Sequence, residues 1–294
     1  MLEDLFSYGF CYDKTVEFLN ERRKACPVLR TIPTGKSSCG RKLPAVAIGN
    51  LKNPVLFAAG FSADDRVSVL LLLRFLFDIT DQGDPQKIIA EGHLPKFFER
   101  GGLVLLPMVN PDGFEIASQG AETAGYLKKL VKMLESRTDT PWRSSPTGVD
   151  LRHNYDIAFD FNSAQRKRAG EEGFPGTRPE SEAETKAVLR LCSAFRFRRV
   201  VEFCTPGEAI LPAYGKNTSS NAAISGELIA NSCGYPLLNP AESFERGSLK
   251  DWFVSRSGCE GYTIKAGHSR AVPEDDLEPL YARLMQTMLL SMIL

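Results

Sequence analysis

Pro54-Val55-Leu56-Phe57-Ala58-Ala59-Gly60-Phe61-Ser62-Ala63-Asp64-Asp65-Arg66 is the stretch from which the fold of this chain can be read. An unbroken apolar run of strand length stops at Gly60, where backbone freedom permits a sharp turn. Two acidic residues then precede Val67-Ser68-Val69-Leu70-Leu71-Leu72-Leu73. Asp64 and Asp65 suit the positive N-terminal end of a helix, and apolar residues nearly all round predict that this helix, over 64 to 78, is buried. A buried strand feeding a buried helix is the unit of an α/β layer structure.

The same alternation extends outward in both directions. Short apolar runs predict strands at 45 to 48, 103 to 108, 199 to 203, 209 to 214 and 262 to 266, besides 55 to 59. Further helices are expected over 180 to 195, with Ser181 as N-cap and Glu184 completing a capping box, and over 275 to 294. The last ends in Met288-Leu289-Leu290-Ser291-Met292-Ile293-Leu294, an apolar end expected to pack on the sheet. Polar stretches broken by glycine and proline, 113 to 148 and 162 to 179, read as long surface loops of the kind that border binding sites. Without a repeat, a low-complexity tract or a linker, residues 1 to 294 are expected to form one domain.

Composition narrows the function classes. With 294 residues, 43% of them hydrophobic, the chain is long enough for one large core. The 36 basic residues balance the 36 acidic ones, so no overall charge favours nucleic acid or an anionic membrane. The densest basic run, Arg166-Lys167-Arg168, is expected in a solvated loop. Met1-Leu2-Glu3-Asp4 is acidic where a secretory leader would be basic, and no apolar run reaches the ~18 residues of a membrane helix, so cytoplasmic placement is expected. Seven cysteines without a Cys-x-x-Cys pair suit reduced thiols. Three histidines, His93, His153 and His268, leave little room for a histidine-rich metal site.

Several motifs follow one another in a recognisable order: 35-Gly-Lys-Ser-Ser-Cys-Gly-Arg-41, 107-Pro-Met-Val-Asn-Pro-Asp-Gly-113, 148-Gly-Val-Asp-Leu-Arg-His-Asn-Tyr-Asp-156, 179-Pro-Glu-Ser-Glu-Ala-Glu-Thr-185, 200-Val-Val-Glu-Phe-Cys-Thr-Pro-Gly-Glu-Ala-Ile-210, 247-Gly-Ser-Leu-Lys-Asp-Trp-Phe-253 and 261-Gly-Tyr-Thr-Ile-Lys-Ala-Gly-267. Together with the opening stretch, this order resembles the zinc metallocarboxypeptidases, specifically the bacterial branch related to γ-D-glutamyl-L-diamino acid endopeptidases. The resemblance spans nearly the whole chain, its motif-bearing core running from about 35 to 275. It implies a mixed, twisted α/β sheet of roughly eight strands flanked by helices, with the cleft at strand ends.

The family site would place a His-x-x-Glu pair after the 55 to 59 strand, a second histidine after the 199 to 203 strand, and a glutamate base in the last strand. Such a zinc keeps an open position for a water whose pKa falls toward neutrality. Here the four places hold Ser62, Asp65, Cys204 and Lys265. Serine is a poor zinc ligand, Asp65 and Cys204 are competent ones, and an ammonium neither accepts a proton nor tolerates a neighbouring divalent ion. No cofactor is therefore expected, and zinc would be held weakly. Arg143, after Trp142, resembles the arginine that polarises the scissile carbonyl. Arg152 and His153 occupy the places of the pair that grips the substrate carboxylate. The family's mobile tyrosine finds only Ser243 or Phe244.

Each of these residues also has a plainer reading. Ser62 and Asp65 can simply start and cap a helix. Cys204 can be a small apolar filler. Asn110-Pro111-Asp112-Gly113 is a turn signature. A buried Lys265 needs a partner; Asp65 is the expected one, with Cys204 or Glu202 nearby, so that the ammonium stands in for the metal.

The expected function is a catalytically inactive family member that binds a peptide or peptidoglycan-derived fragment in the old cleft through Arg143, Arg152 and His153. One alternative is an active metallopeptidase or γ-D-glutamyl-diamino acid amidase using Asp65 and Cys204. Another is a metal-free hydrolase with Cys204 as nucleophile and Lys265 or His153 as base.

Overall fold

The computed structural model describes residues 10–80, 93–215, 219–240, 245–270 and 273–294. Met1 to Asp4 and the Ser243/Phe244 position lie outside them. Among the described residues, seven strands form one mixed sheet in the order β1-β2-β4-β3-β5-β7-β6. They are β1 (Arg30–Thr31), β2 (Val46–Gly49), β3 (Val55–Ala58), β4 (Gly102–Leu106), β5 (Arg199–Cys204), β6 (Ala209–Pro212) and β7 (Glu260–Lys265). The central four, β4, β3, β5 and β7, run parallel; β2 pairs antiparallel with β4, β1 antiparallel with β2, and β6 antiparallel with β7. All six expected strands are present within a few residues. Two-residue β1, exposed on the edge, had no apolar pattern to announce it.

The helices are α1 (Tyr12–Ala25), α2 (Arg66–Thr80), α3 (His93–Arg100), α4 (Pro111–Gln119), α5 (Lys128–Glu135), α6 (Phe159–Ser163), α7 (Ala183–Ala194), α8 (Ala222–Cys233), α9 (Leu249–Ser257) and α10 (Glu274–Ile293), with a 3-10 segment over Ala121–Leu127. Strand β3 shows how they are layered. Val55 and Phe57 point into one core with α2, α8 and α10, while Leu56 and Ala58 point into the other with α7 and α9. Both faces of a parallel strand are covered, which is why its sequence is continuously apolar. The C-terminal methionines behave as expected, Met288 and Met292 being fully buried in the first core.

Three sequence expectations need correction. Residues 113 to 148 are largely helical rather than a loop: α4, the 3-10 segment and α5 bury Ile116, Ala124, Val131 and Leu134 around Trp142 in a small third core. Their apolar residues are too sparse to stand out from the polar background. Asn110-Pro111-Asp112-Gly113 is not a free turn but the start of α4. The Asn110 side chain accepts from the Gly113 N–H at 3.0 Å, with Pro111 in the first helical turn. The capping box at Ser181 and Glu184 is absent: α7 starts after Glu182, and Glu184 accepts instead from the Ser38 backbone N–H (2.8 Å) and hydroxyl (3.1 Å). A long-range partner has taken the carboxylate that a local cap would use. The 162 to 179 stretch is irregular after α6, with Arg166, Lys167 and Arg168 exposed as expected.

Candidate functional site

Strands β3, β5 and β7 end side by side at one edge of the parallel core. Their exits therefore bring residues remote in sequence to one place, where open α/β sheets carry their sites. Cys204 and Lys265, the last residues of β5 and β7, are register partners.

After β3, Gly60 turns the chain with φ 65°, a conformation that suits glycine. Asp65 then caps α2, its Oδ1 accepting from the Ser68 N–H at 3.2 Å. The same carboxylate accepts from the Thr205 hydroxyl at 2.6 Å and the Thr205 N–H at 3.1 Å. Asp65 thus clamps the start of α2 to the end of β5. Burial pushes its carboxyl up, and the hydrogen bonds from Thr205 and Ser68 oppose that rise. The Ser62 carbonyl accepts the Asp65 N–H at 3.1 Å, within the same turn.

Lys265 does not meet Asp65, and the expected pairing is corrected. Its ammonium donates to Glu245 at 2.5 Å. Its stem runs over Gly207, where an added Cβ would lie 2.5 Å from the lysine Cε. Glu245 precedes the motif that opens α9, and no sequence pattern identified it as a counter-ion. Burial would raise its carboxyl, but Arg152, Lys265 and His153 hold it below the ordinary glutamate value. Glu202, also named near Lys265, faces elsewhere: it accepts from the Lys250 N–H (2.6 Å) and the Thr263 hydroxyl (2.8 Å). Cys204 is buried, and burial pushes its thiol up to about 12.

The second constellation gathers around loops. Arg143 follows buried Trp142, and its carbonyl accepts from the Ala63 N–H at 2.9 Å, which ties it to the Ser62–Asp65 turn. Its guanidinium donates to Asp64 at 2.7 Å and to Glu172 at 2.6 Å. Arg152 reaches Glu172 at 3.3 Å and Asp150 at 3.7 Å. His153 places Nδ1 3.2 Å from the other Asp150 oxygen. Burial alone would raise Asp150, but His153 and Arg152 beside it hold it well below the usual carboxylate range. Arg152 and His153 also line, with Cys204, Glu245, Phe61 and Lys250, a cavity of about 20 Å³ measured to the centres of water-sized molecules. That is room for about one water. Of the candidates, Arg152 and His153 share Asp150, and Arg143 and Arg152 share Glu172. His268 is exposed beyond β7. Sequence reasoning missed Glu172, Glu245 and Arg270, since glutamates and arginines in polar loops carry no pattern.

Two motifs turn out to be structural. Buried Asp112 accepts from the Ser37 hydroxyl (2.8 Å), the Cys39 N–H (2.7 Å) and Arg41 (2.8 Å), which holds the 35 to 41 loop on α4. Asn110 donates to the Phe61 and Ser144 carbonyls, both at 3.2 Å, bridging the turn after β3 to the Arg143 segment.

Zinc does not fit what the family positions hold. Both Asp65 oxygens accept hydrogen bonds from the protein, burial pushes the Cys204 thiol up, and the register partner of Cys204 is Lys265, whose ammonium is paired to Glu245. Among the described residues, no group of three or more His, Cys, Asp or Glu side chains is arranged to hold a metal ion.

Comparison with known proteins gives the lineage of this frame. A zinc carboxypeptidase family model matches residues 15–287. The chain is 24% identical over 277 residues to gamma-D-glutamyl-L-diamino acid endopeptidase 1 of Lysinibacillus sphaericus, covering 93% of this chain and 69% of that protein. Its fold is similar to that of carboxypeptidase A from Helicoverpa armigera, with a TM-score of 0.74 at 17% identity over 96% of this chain and 72% of the other. It is also similar to murein-tripeptide amidase MpaA from Escherichia coli O157, with a TM-score of 0.55 at 20% identity over 89% and 92%. With the match to the family model spanning nearly its whole length, the chain belongs to the zinc carboxypeptidase family.

Proposed function

We propose that this chain is a catalytically inactive family member that binds a peptide or peptidoglycan-derived fragment by its carboxylate in the former active-site cleft. The observation that carries this reading is the Asp65–Thr205 clamp: the carboxylate at a family ligand position serves as the cap of α2 and its tie to the end of β5. Lys265 paired to Glu245 supports it, since an ion-paired ammonium offers no base for water. Arg143 and Arg152, which share Glu172, and His153, which stands with Arg152 on Asp150, would supply guanidinium and imidazole groups for a ligand's acidic end. The relative from Lysinibacillus sphaericus is by name an endopeptidase of γ-D-glutamyl-L-diamino acids, which makes such a peptide the first ligand class to test.

The deciding experiment has two parts. The protein is exposed to zinc, desalted exhaustively and analysed for metal beside an Asp65→Asn, Cys204→Ser variant. A γ-D-glutamyl-L-diamino acid peptide is then titrated in and its integrity followed. The expected result is no stoichiometric zinc, together with saturable binding of intact peptide. About one zinc per chain, lost in the variant, together with chelator-sensitive cleavage, would replace this reading with an aberrant metallopeptidase.

A further inference from the structure

Three guanidinium groups from three separate segments converge on one carboxylate of a loop. Arg143 precedes the Ser144–Gly148 turn, Arg152 sits in the motif after it, and Arg270 follows β7. Arg143 donates to Glu172 Oε2 at 2.6 Å, Arg270 to Oε1 at 2.6 Å and Arg152 to Oε1 at 3.3 Å. Asp64 completes the group, 2.7 Å from Arg143 and 3.6 Å from Arg270.

The cost of assembling this cluster is plain. Three like charges held at one point repel one another, and each loses hydration: the side chains of Arg143, Arg152 and Arg270 are only 19%, 16% and 27% exposed. Planar forks aimed at a two-oxygen group form a carboxylate cradle, and here the chain's own glutamate fills it.

The occupant is the least fixed member. Glu172 is 38% exposed, the most open of the group. Its backbone is anchored independently of its side chain: the Gly173 N–H donates to Asp150 at 2.9 Å, the Asp150 N–H to the Phe174 carbonyl at 2.8 Å, and the Gly170 N–H to the Gly148 carbonyl at 2.8 Å. The carboxylate can therefore leave by side-chain rotation alone while the loop stays in place. The arginines, by contrast, retain Asp64 and Asp150 as partners when it leaves.

We propose that Arg143, Arg152 and Arg270 form a binding site for the carboxylate of an acidic ligand, and that Glu172 is a built-in stand-in which that ligand must displace. This rests on the ligand-binding reading above and adds to it the third guanidinium, Arg270, and a competitor within the same chain. Tethered beside its site, Glu172 acts at an effective concentration of millimolar order, and the apparent affinity of an incoming carboxylate falls by the fraction of time the cradle stands open.

The probe is glutarate, titrated calorimetrically into the full chain at low ionic strength, with glutaramide as the uncharged control. Glu172→Gln is expected to bind glutarate about tenfold or more tightly than the parent, on the scale set by that tethered competitor. Glu171→Gln removes the same charge from the neighbouring residue, whose carboxylate accepts from the Arg168 N–H rather than from the cradle, and is expected to behave as the parent does. Arg270→Met added to Glu172→Gln is expected to abolish the gain, and glutaramide to bind none of the proteins. Equal gains in Glu171→Gln and Glu172→Gln would reduce the effect to general field and overturn the proposal. Absence of glutarate binding in both the parent and Glu172→Gln would overturn it too. So would a Glu172→Gln and a Glu172→Ala variant that both lose cooperative melting, since Glu172 would then be a structural counter-ion. Peptide binding by the parent that is indifferent to Glu172 would sink this inference and leave the proposed function standing. Glutarate binding gained in Glu172→Gln, with no affinity for the peptide, would do the reverse.

Discussion

The hydroxyl of Thr205 donates to the carboxylate of Asp65 at 2.6 Å, across 140 positions of sequence. Asp65 is a bolt between the first turn of α2 and the exit of β5. The bond joins these two elements through protein groups alone. It also makes Asp65 a stability residue, and stability is where its substitution is expected to register.

Asp65→Ala removes the α2 cap and both Thr205 bonds and leaves buried donors without acceptors, so a loss of about 2–4 kcal/mol is expected. Asp65→Asn keeps one acceptor for the cap and the Thr205 hydroxyl but sets its amide nitrogen against the Thr205 N–H, and should lose an intermediate amount, about 1–2 kcal/mol. Chemical denaturation midpoints at constant m-value would measure both. Equal stability of the alanine variant and the parent would show that the clamp holds nothing.

Glu184 gives the fold a pH signature. Burial, with neighbouring Asp112 and Glu182 adding to it, pushes its carboxyl up from 4.5 to about 7, against the lowering effect of the Ser38 bonds. In the unfolded chain it titrates near the ordinary value, so between the two the folded state binds the extra proton. Its stabilising effect is thus complete below about pH 4.5 and is lost as pH rises through about 7. The window corresponds to about 3 kcal/mol as an order of magnitude. Glu184→Gln retains an acceptor for the Ser38 N–H and should flatten this part of the stability–pH curve, giving a protein more stable than the parent at pH 8. An unchanged slope between pH 4.5 and 7 would assign the dependence to other groups.

Cys204 is expected to be inert. A nucleophilic cysteine is partly exposed with a depressed pKa, whereas this thiol is buried and pushed up to about 12. Under native conditions near neutral pH, alkylation of Cys204 should be at least about tenfold slower than that of the partly exposed Cys259. Mass spectrometry of timed digests would give both rates. Faster labelling at Cys204 would revive the cysteine-hydrolase alternative.

Returning the family base is not expected to return the chemistry. Lys265→Glu would set a second carboxylate against Glu245 in place of the ammonium and leave Asp65 clamped. A destabilisation of about 1–3 kcal/mol is expected from the lost pair and the new repulsion. No hydrolysis of a γ-D-glutamyl-L-diamino acid peptide above the parent's level should follow. Thermal melts and product chromatography together test it, and new zinc-dependent cleavage would mean that one residue had kept the site silent.

The sheet and its main helix were legible in the amino-acid pattern alone. Val55 to Ala58 and the run from Val69 to Leu73 are continuously apolar, and Val200, Val201 and Phe203 carry the same signal in β5, because both sides of the sheet are covered, and that is a local, countable signal. The order of motifs likewise identified the family and located Ser62, Asp65, Cys204 and Lys265 at strand ends. What those residues do was decided by tertiary structure. Lys265 needed a counter-ion, but whether Asp65 or Glu245 supplied it depended on which way its stem left β7, over Gly207. The Glu184 carboxylate could have capped its own helix and instead met Ser38, 146 residues away. Glu172 and Arg270 lie in polar loops without periodicity, and only folding brought them together. Burial of apolar groups follows a repeating pattern that a sequence displays; pairing of charges depends on single distances between remote segments, and those exist only once the chain has folded.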